Sequence, residues 1–333
     1  MFKGKNVLVA GGTGFVGTNL VKRLLKEGAN VRATVHKRQP VIKDSRIEYV
    51  NCDLTNAEDC KKVVKNIDYV FMCAANTSGA GVMASTPMVH VTPNIIMNTL
   101  LLDAAYSAKV KKFLWISSNS VYPNVDYPMK EKDMVFGEMF EKYYFVAWMK
   151  QFTEVLCRMY GEKLKEPMKT IVLRPANLYG PYDDFEWKTS HVLPALMRKI
   201  IERQDPLEVW GDGKDIKDFL YIEDFINAVI LSMEKIEDFD IINIGSGEQS
   251  TIRQSLQIML ECDNYTDANI VFNEDKPTMI PKRMLDVSKA KKILGFEVKT
   301  TLANGIKETM EWYKERLNKF NKPAYDKIIS KNG

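Results

Sequence analysis

Several kinds of chemistry are poorly supplied in this 333-residue chain. It has three histidines and five cysteines, and no two cysteines form a CxxC pair. Cys52, Cys60, Cys73, Cys157 and Cys262 each sit in an apolar or periodic segment. They read as reduced core thiols in a reducing compartment, and no disulfide framework or metal site is expected. Long apolar runs are also missing. The opening MFKGKNVLVAGGTG has a short run that stops at glycines, too short for a secretory core. The stretch near IIMNTLLLDAA cannot cross a bilayer. A cytoplasmic protein with no membrane partner is the expectation. There is little excess of one charge: 27% of residues are charged and the formal net charge is +4. Lys and Arg are scattered among nearly as many acids, so nucleic-acid binding is not expected, although a mild positive excess suits an anionic small molecule. Internal repeats and low-complexity linkers are absent.

What is present is alternation. NVLVA, VRATV, IEYVNC, YVFMCAA, FLWISS and TIVLRPA are short β-rich runs bounded by turns. Amphipathic stretches such as FVGTNLVKRLLKEG lie between them, this one ending at a helix-stopping glycine. Continuous hydrophobicity suits parallel strands buried on both faces. The pattern predicts an α/β fold, a Rossmann-type doubly wound parallel sheet, with a smaller mixed α/β substrate domain. The predicted division is 1–175 with 212–237 for the dinucleotide-binding part and 176–211 with 238–320 for the substrate part. Residues 321–333 read as a polar tail.

The first strand runs into GGTGFVG, which places Gly11, Gly14 and Gly17 three apart. Gly11 permits the tight turn, Gly14 lets backbone amides approach a pyrophosphate, and Gly17 lets helix and strand pack closely. The loop follows a strand and opens a helix, the context that makes such spacing a dinucleotide site. At the end of the second strand an acid would bind a ribose 2′-hydroxyl. VRATVHKRQ has none there, but His36, Lys37 and Arg38 in a row, which favours NADP over NAD. Asp53, in NCDLT, is placed to meet the adenine edge.

GGTGFVG, CDL, CAAN, ISSNSVYP, a helical lysine, LRPANLYGP and FLYIED occur in this order over nearly the whole chain. Together they resemble the extended short-chain dehydrogenase/reductase family, and within it the NAD(P)-dependent nucleotide-sugar epimerases and dehydratases. NTLLLDAAYSAKVKKFLWISSNSVYP and NLYGPYDDFEWKTSHVLPALMRK are similar to the GDP-L-fucose synthase branch. The resemblance adds Thr13, Phe15, Val16, Leu54, Ala74 and Ala75 to the cofactor-binding residues. It also implies a Ser/Thr and a Tyr-x-x-x-Lys pair beside the nicotinamide. The tyrosine exchanges a proton with a sugar hydroxyl, and the lysine lowers the tyrosine pKa and holds the ribose. These positions fall on Ser118 and Lys150, with Glu154 one turn beyond as support. The tyrosine position holds Val146.

Two tyrosines lie nearby. Tyr144 is about 120° around the helix from Lys150; Tyr143 is about 20° off the same face but about 10 Å further along. Tyr143 therefore reads either as an aromatic anchor of the helix start or as a displaced catalytic residue. Dehydratases of this family usually carry Asp-Glu after the Ser/Thr. Asn119 and Ser120 stand there, which argues against a 4,6-dehydratase. In the fucose synthase branch a cysteine and a histidine act as epimerase base and acid; the corresponding residues are Ser120 and His191, the latter suited to proton transfer near neutral pH.

At the substrate end, the resemblance places Asn177, Val192, Lys217 and Arg283 with Ser120 on a nucleotide diphosphate, and Trp210 and Tyr182 are candidates to line the base pocket. Lys217 stands where relatives usually have arginine and supplies charge without the bidentate fork. The helices around 92–108 and 143–163 resemble those that form a four-helix bundle between subunits, so a homodimer is expected. The leading reading is C4 oxidation or 4-keto reduction of a nucleotide-activated, GDP-linked sugar, with or without epimerisation. A reductase of a non-sugar carbonyl substrate and a catalytically silent dinucleotide-binding regulator remain as alternatives.

Overall fold

The computed structural model describes residues 1–76, 88–276 and 278–319; the tail read from 321–333 lies outside them. Seven parallel strands form the main sheet: β1 (Asn6–Ala10), β2 (Asn30–Val35), β3 (Ile47–Asn51), β4 (Tyr69–Met72), β5 (Lys112–Ile116), β6 (Lys169–Pro175) and β11 (Asp240–Ile244). Their spatial order is β3-β2-β1-β4-β5-β6-β11. The order reverses between β1 and β4, which opens the crevice where ligands of such sheets bind.

Alternate residues of β1 explain why both faces need helices. Val7 and Val9 join a cluster with Leu20, Val21 and Leu24 of α1 (Phe15–Lys26) and Val229 of α6 (Ile222–Lys235). Leu8 and Ala10 point the other way. They meet Cys60 of α2 (Ala57–Val63), Leu101 and Ala105 of α3 (Met88–Ser107) and Cys157 of α4 (Tyr144–Arg158). A strand buried on both sides has to be apolar throughout, as NVLVA nearly is.

Short ladders assemble the remainder. Strand β7 (Asn177–Tyr179) pairs with β10 (Phe219–Tyr221), and β8 (Leu207–Trp210) with β13 (Ile270–Asn273). Strand β9 (Ile216–Lys217) lies between β12 (Ser250–Thr251) and β14 (Lys282–Arg283). Helices α5 (Val192–Ile201), α7 (Ile252–Cys262) and α8 (Leu302–Lys319) complete it. One expected boundary is corrected. Residues 240–244, read with the substrate part, form the edge strand of the main sheet, because Ile242 and Ile244 are fully buried there and the strand pairs in parallel with β6.

A buried ion pair fastens α4 to this sheet. Arg174 of β6 donates from Nε and Nη2 to the two carboxylate oxygens of Glu154, at 2.9 and 2.5 Å. Its Nη1 donates to the Tyr122 hydroxyl (2.8 Å) and the Glu131 carbonyl (3.0 Å). Ser117 Oγ donates to Glu154 at 2.6 Å, and Tyr122 donates to Asn243 Oδ1 of β11 at 2.6 Å. Removing one partner of such a pair strands a charge in low dielectric. Arg174→Ala should therefore lose about 3–5 kcal/mol, whereas Arg174→Met combined with Glu154→Leu should recover most of it. Urea unfolding of the variants checks this; equal losses in both would contradict it.

Candidate active site

The strand ends at the crevice bring the proposed cofactor residues together. Gly11 has φ +79°, and a Cβ on it would lie 2.6 Å from Ala74 Cα at the end of β4. A Cβ on Gly17 would lie 2.0 Å from the Gly11 carbonyl oxygen. Side chains at either position would fill the space into which loop and helix close. Gly11 N–H donates to Thr34 Oγ1 of β2 at 2.7 Å, which fixes the turn. Gly14 caps α1 without a side-chain acceptor, so the first-turn amides are left to a ligand anion. Thr13 is buried beneath, and Phe15 and Val16 begin the helix. His36 and Lys37 are exposed just past β2, with Arg38 half-buried beside them. Asp53 follows β3, and its carboxyl is held below the ordinary range, chiefly by hydrogen bonds from Thr55 and also by the charge of His36. Leu54 is buried, Ala74 is half-buried and Ala75 is exposed. A glycine turn with no room for a Cβ at Gly11 or Gly17, an uncapped helix start and a basic rim fit a nicotinamide dinucleotide.

Lys150 lies on the buried side of α4, 9% exposed. Its Nζ donates to the Ile116 carbonyl at the end of β5 (3.0 Å) and stands 4.8 Å from the centroid of the Trp115 ring. Burial lowers its pKa to about 8, against the opposing attraction of Glu154. The expected support from Glu154 is only this distant attraction, since both carboxylate oxygens are engaged by Arg174 and Ser117. Val146, one turn earlier, is half-buried. Ser118, in the loop after β5, accepts from Ser120 N–H at 3.1 Å; Ser120 Oγ is buried with no partner among the described residues.

Tyr143 is not placed with Lys150. A short turn over Glu141–Tyr143 precedes α4, so Tyr143 does not continue the helical face. Its hydroxyl is pushed above its ordinary pKa by burial and faces the charges of Arg283 and Asp215. Arg283 is opposite Lys217 in the β14–β9 register. Arg283 Nη1 donates to the Pro123 carbonyl (2.9 Å), but buried Nε and Nη2 have no partner among the described residues, and burial lowers its pKa to about 10. Lys217 Nζ meets Asp215 at 3.3 Å and the Ile280 carbonyl; burial lowers its pKa as well. Asp215 also lines a cavity of about 200 Å³ with Trp210, Asp212, Glu274 and Thr278. Asp215 had no place in the sequence reading; its position between two basic motif residues was the available signal.

Other expectations fare differently. Asn177 spends its Nδ2, like its backbone N–H, on the Asp218 carbonyl (3.1 and 3.0 Å). His191 is exposed and caps α5 through its backbone position, not its side chain, and Val192 beside it is also exposed. Tyr182 is a correction. It packs on Trp312 of α8, centroids 5.0 Å apart, with Lys22 of α1 over its ring, and does not join Trp210. Among the described residues there is no cluster of three or more metal-ligating side chains and no helix able to cross a membrane.

The Lys150 shift has a stability consequence. Below about pH 8 the buried ammonium disfavours folding in full; as pH rises towards 10.5 only the unfolded chain still holds the proton, and the cost disappears. In nucleotide-free protein, Lys150→Met should therefore be more stable than the parent by up to about 3 kcal/mol at neutral pH. Thermal unfolding across this pH range should show the gap closing on the alkaline side; a gap that widens would contradict it.

Comparison with known proteins follows this geometry. The model of the NAD dependent epimerase/dehydratase family matches residues 7–245. A putative GDP-L-fucose synthase 2 of Arabidopsis thaliana is 29% identical, over 95% of this chain and 93% of its own. A UDP-glucuronic acid 4-epimerase from Bacillus cereus, solved with UDP-glucuronic acid and NAD, superposes with a TM-score of 0.81 at 26% identity, covering 93% of this chain and 99% of that one. A GDP-6-OMe-4-keto-L-xylo-heptose reductase from C. jejuni also gives a TM-score of 0.81 at 26% identity, covering 95% and 99%. With a family model spanning well over half its length and the glycine cradle in place, the chain belongs to the NAD dependent epimerase/dehydratase family.

Proposed function

We propose that the protein exchanges hydride at C4 of a nucleoside diphosphate sugar, GDP-linked, using NADP(H). The observation that carries this is the pair of cations formed by buried Arg283 and half-buried Lys217. Two guanidinium nitrogens of Arg283 have no protein partner, a costly arrangement that a diphosphate relieves. Arg283 hangs from the Tyr122–Pro123 carbonyls, and the same loop carries Ser118 and Ser120. A diphosphate held by the cations would thus lie beside the hydroxyls that face its sugar. A non-sugar carbonyl substrate would leave Arg283 unexplained.

The cavity next to this pair supports guanine. Trp210 supplies an aromatic surface, and Asp212 and Glu274 supply acceptors for guanine's N1–H and N2–H2. When bound, the dinucleotide supplies a two-electron acceptor or donor. Gly11, Gly14 and Gly17 would admit its pyrophosphate, and the His36–Arg38 run favours NADP, although the Bacillus cereus relative was solved with NAD. Ser118 would orient the sugar hydroxyl. Ser120 and His191 are the groups available for proton transfer at a neighbouring carbon. Five thiols without disulfides fit a cytoplasmic setting.

A homodimer completes the proposal. Ile96 on α3 and Phe145, Phe152 and Val155 on α4 are exposed between 38% and 56%, an apolar surface on two helices packed together. Phe152→Glu should give monomers by sedimentation, where the parent sediments as a dimer.

Arg283→Met is the decisive variant for function. It should raise KM for a GDP-sugar by about 10- to 100-fold and leave the dinucleotide Kd unchanged. An unchanged KM would remove the diphosphate from this site.

A further inference from the structure

Val146 leaves the reaction without the family's proton-exchanging tyrosine, and Tyr143 stands in the turn before α4, its hydroxyl hydrogen-bonded to the Ile280 backbone and under the charges of Arg283 and Asp215. We propose that Lys150 itself carries the proton, its Nζ taking it from the sugar hydroxyl during oxidation and returning it during reduction. This rests on the proposed reaction of a nucleoside diphosphate sugar.

The geometry around Nζ suits a lysine that loses its proton. The amine needs only one hydrogen for the Ile116 carbonyl, at 3.0 Å, and its lone pair then remains for a substrate proton. Ile116 ends β5 immediately before the loop that presents Ser118 and Ser120, so the amine lies at the hydroxyl side of the site. Among the described residues no carboxylate forms an ion pair with it. Glu154, on the same helix, is closed into a pair with Arg174 of β6 and accepts from Ser117. On α3, packed alongside, His90 holds the Asn76 carbonyl and Asp103 the Tyr160 hydroxyl. From β5 comes the Trp115 ring, which favours the ammonium. Burial outweighs this and the Glu154 attraction, bringing the group to about 8, where both protonation states are populated near neutral pH.

The step balances without a further group. The hydroxyl O–H bond breaks and its proton joins neutral Nζ, while that bond's electron pair becomes the second C–O bond. The C–H electron pair leaves with its hydrogen to the oxidised nicotinamide dinucleotide, so the sugar loses two electrons and the dinucleotide gains them. Reduction reverses each movement, with the ammonium as donor.

Three variants test the assignment: Lys150→Arg, Val146→Tyr, and the two combined, assayed with a GDP-sugar that the parent turns over. Arginine keeps the charge but does not release its proton. Lys150→Arg should bind the dinucleotide within a few-fold of the parent yet lose turnover by about 10³-fold. The parent's kcat/KM should inflect near pH 8, rising with pH in the oxidising direction and falling with pH in the reducing one. In the double variant, a tyrosine one turn from a fixed cation should restore turnover at least about tenfold over Lys150→Arg. Val146→Tyr alone should move the inflection away from pH 8. Lys150→Arg retaining more than about a tenth of parental turnover would overturn the assignment. So would an Nζ titration, followed by NMR of the 13C-methylated amine, that falls in the ordinary lysine range. A parent that turns over no nucleoside diphosphate sugar would refute the proposed reaction, whereas a turning-over parent with either contrary result refutes Lys150 alone.

Discussion

The Arg174–Glu154 pair constrains more of this molecule than its two residues suggest. An ion pair with side chains 1% and 2% exposed must have every hydrogen-bonding position answered, because water cannot reach it. The answering groups are Ser117, the Tyr122 hydroxyl and the Glu131 carbonyl, and these pin the loop that follows β5 at both ends. Ser118 and Ser120 lie between those pins. The carbonyls of Tyr122 and Pro123, at the far end, hold Arg283. A purely structural interaction therefore determines how far Ser118 and Ser120 lie from Arg283. It also takes Glu154 away from Lys150, which is why desolvation, and not a counterion, governs that lysine.

What could be read from the residues followed from sterics and periodicity. The glycine spacing is legible because Gly11 and Gly17 have no alternative: neighbouring backbone occupies the place of a Cβ. Continuous apolar runs announced the parallel strands for an equally local reason. The edge strand β11 was less clear, since DIINI is short and its burial depends on β6, some seventy residues earlier. Helical arithmetic misled twice. Glu154 sits one turn from Lys150, a spacing that permits a pair, but Arg174 arrives from another strand with a bidentate fork and wins. The angle drawn for Tyr143 assumed a helix reaching back that far; α4 begins at Tyr144, and in the preceding turn the Tyr143 ring packs on Phe140. Long-range competition of this kind has no signature in local spacing. Lys217 and Arg283, by contrast, were placed together by motif context, and a two-residue ladder holds them in register.

The polar groups left unanswered bear on the choice between an enzyme and a silent dinucleotide binder. Ser120 Oγ and two nitrogens of Arg283 are buried without partners, each costing about 1–3 kcal/mol or more where the group is charged. Lys150 adds the cost of an ammonium under an aromatic ring with no carboxylate to pair it. A protein needing only the glycine cradle would fold more stably with apolar side chains at all three positions. Here the three cluster about one loop, at the side of the crevice away from the cradle's own requirements, and each offers chemistry that a sugar diphosphate uses: charge for the phosphates, a hydroxyl for the sugar, and an amine that can gain or lose a proton. In the proposed reaction, Val146 at the family's tyrosine position would change which group moves the proton, and the cost retained at Lys150 would be what makes that amine able to do so.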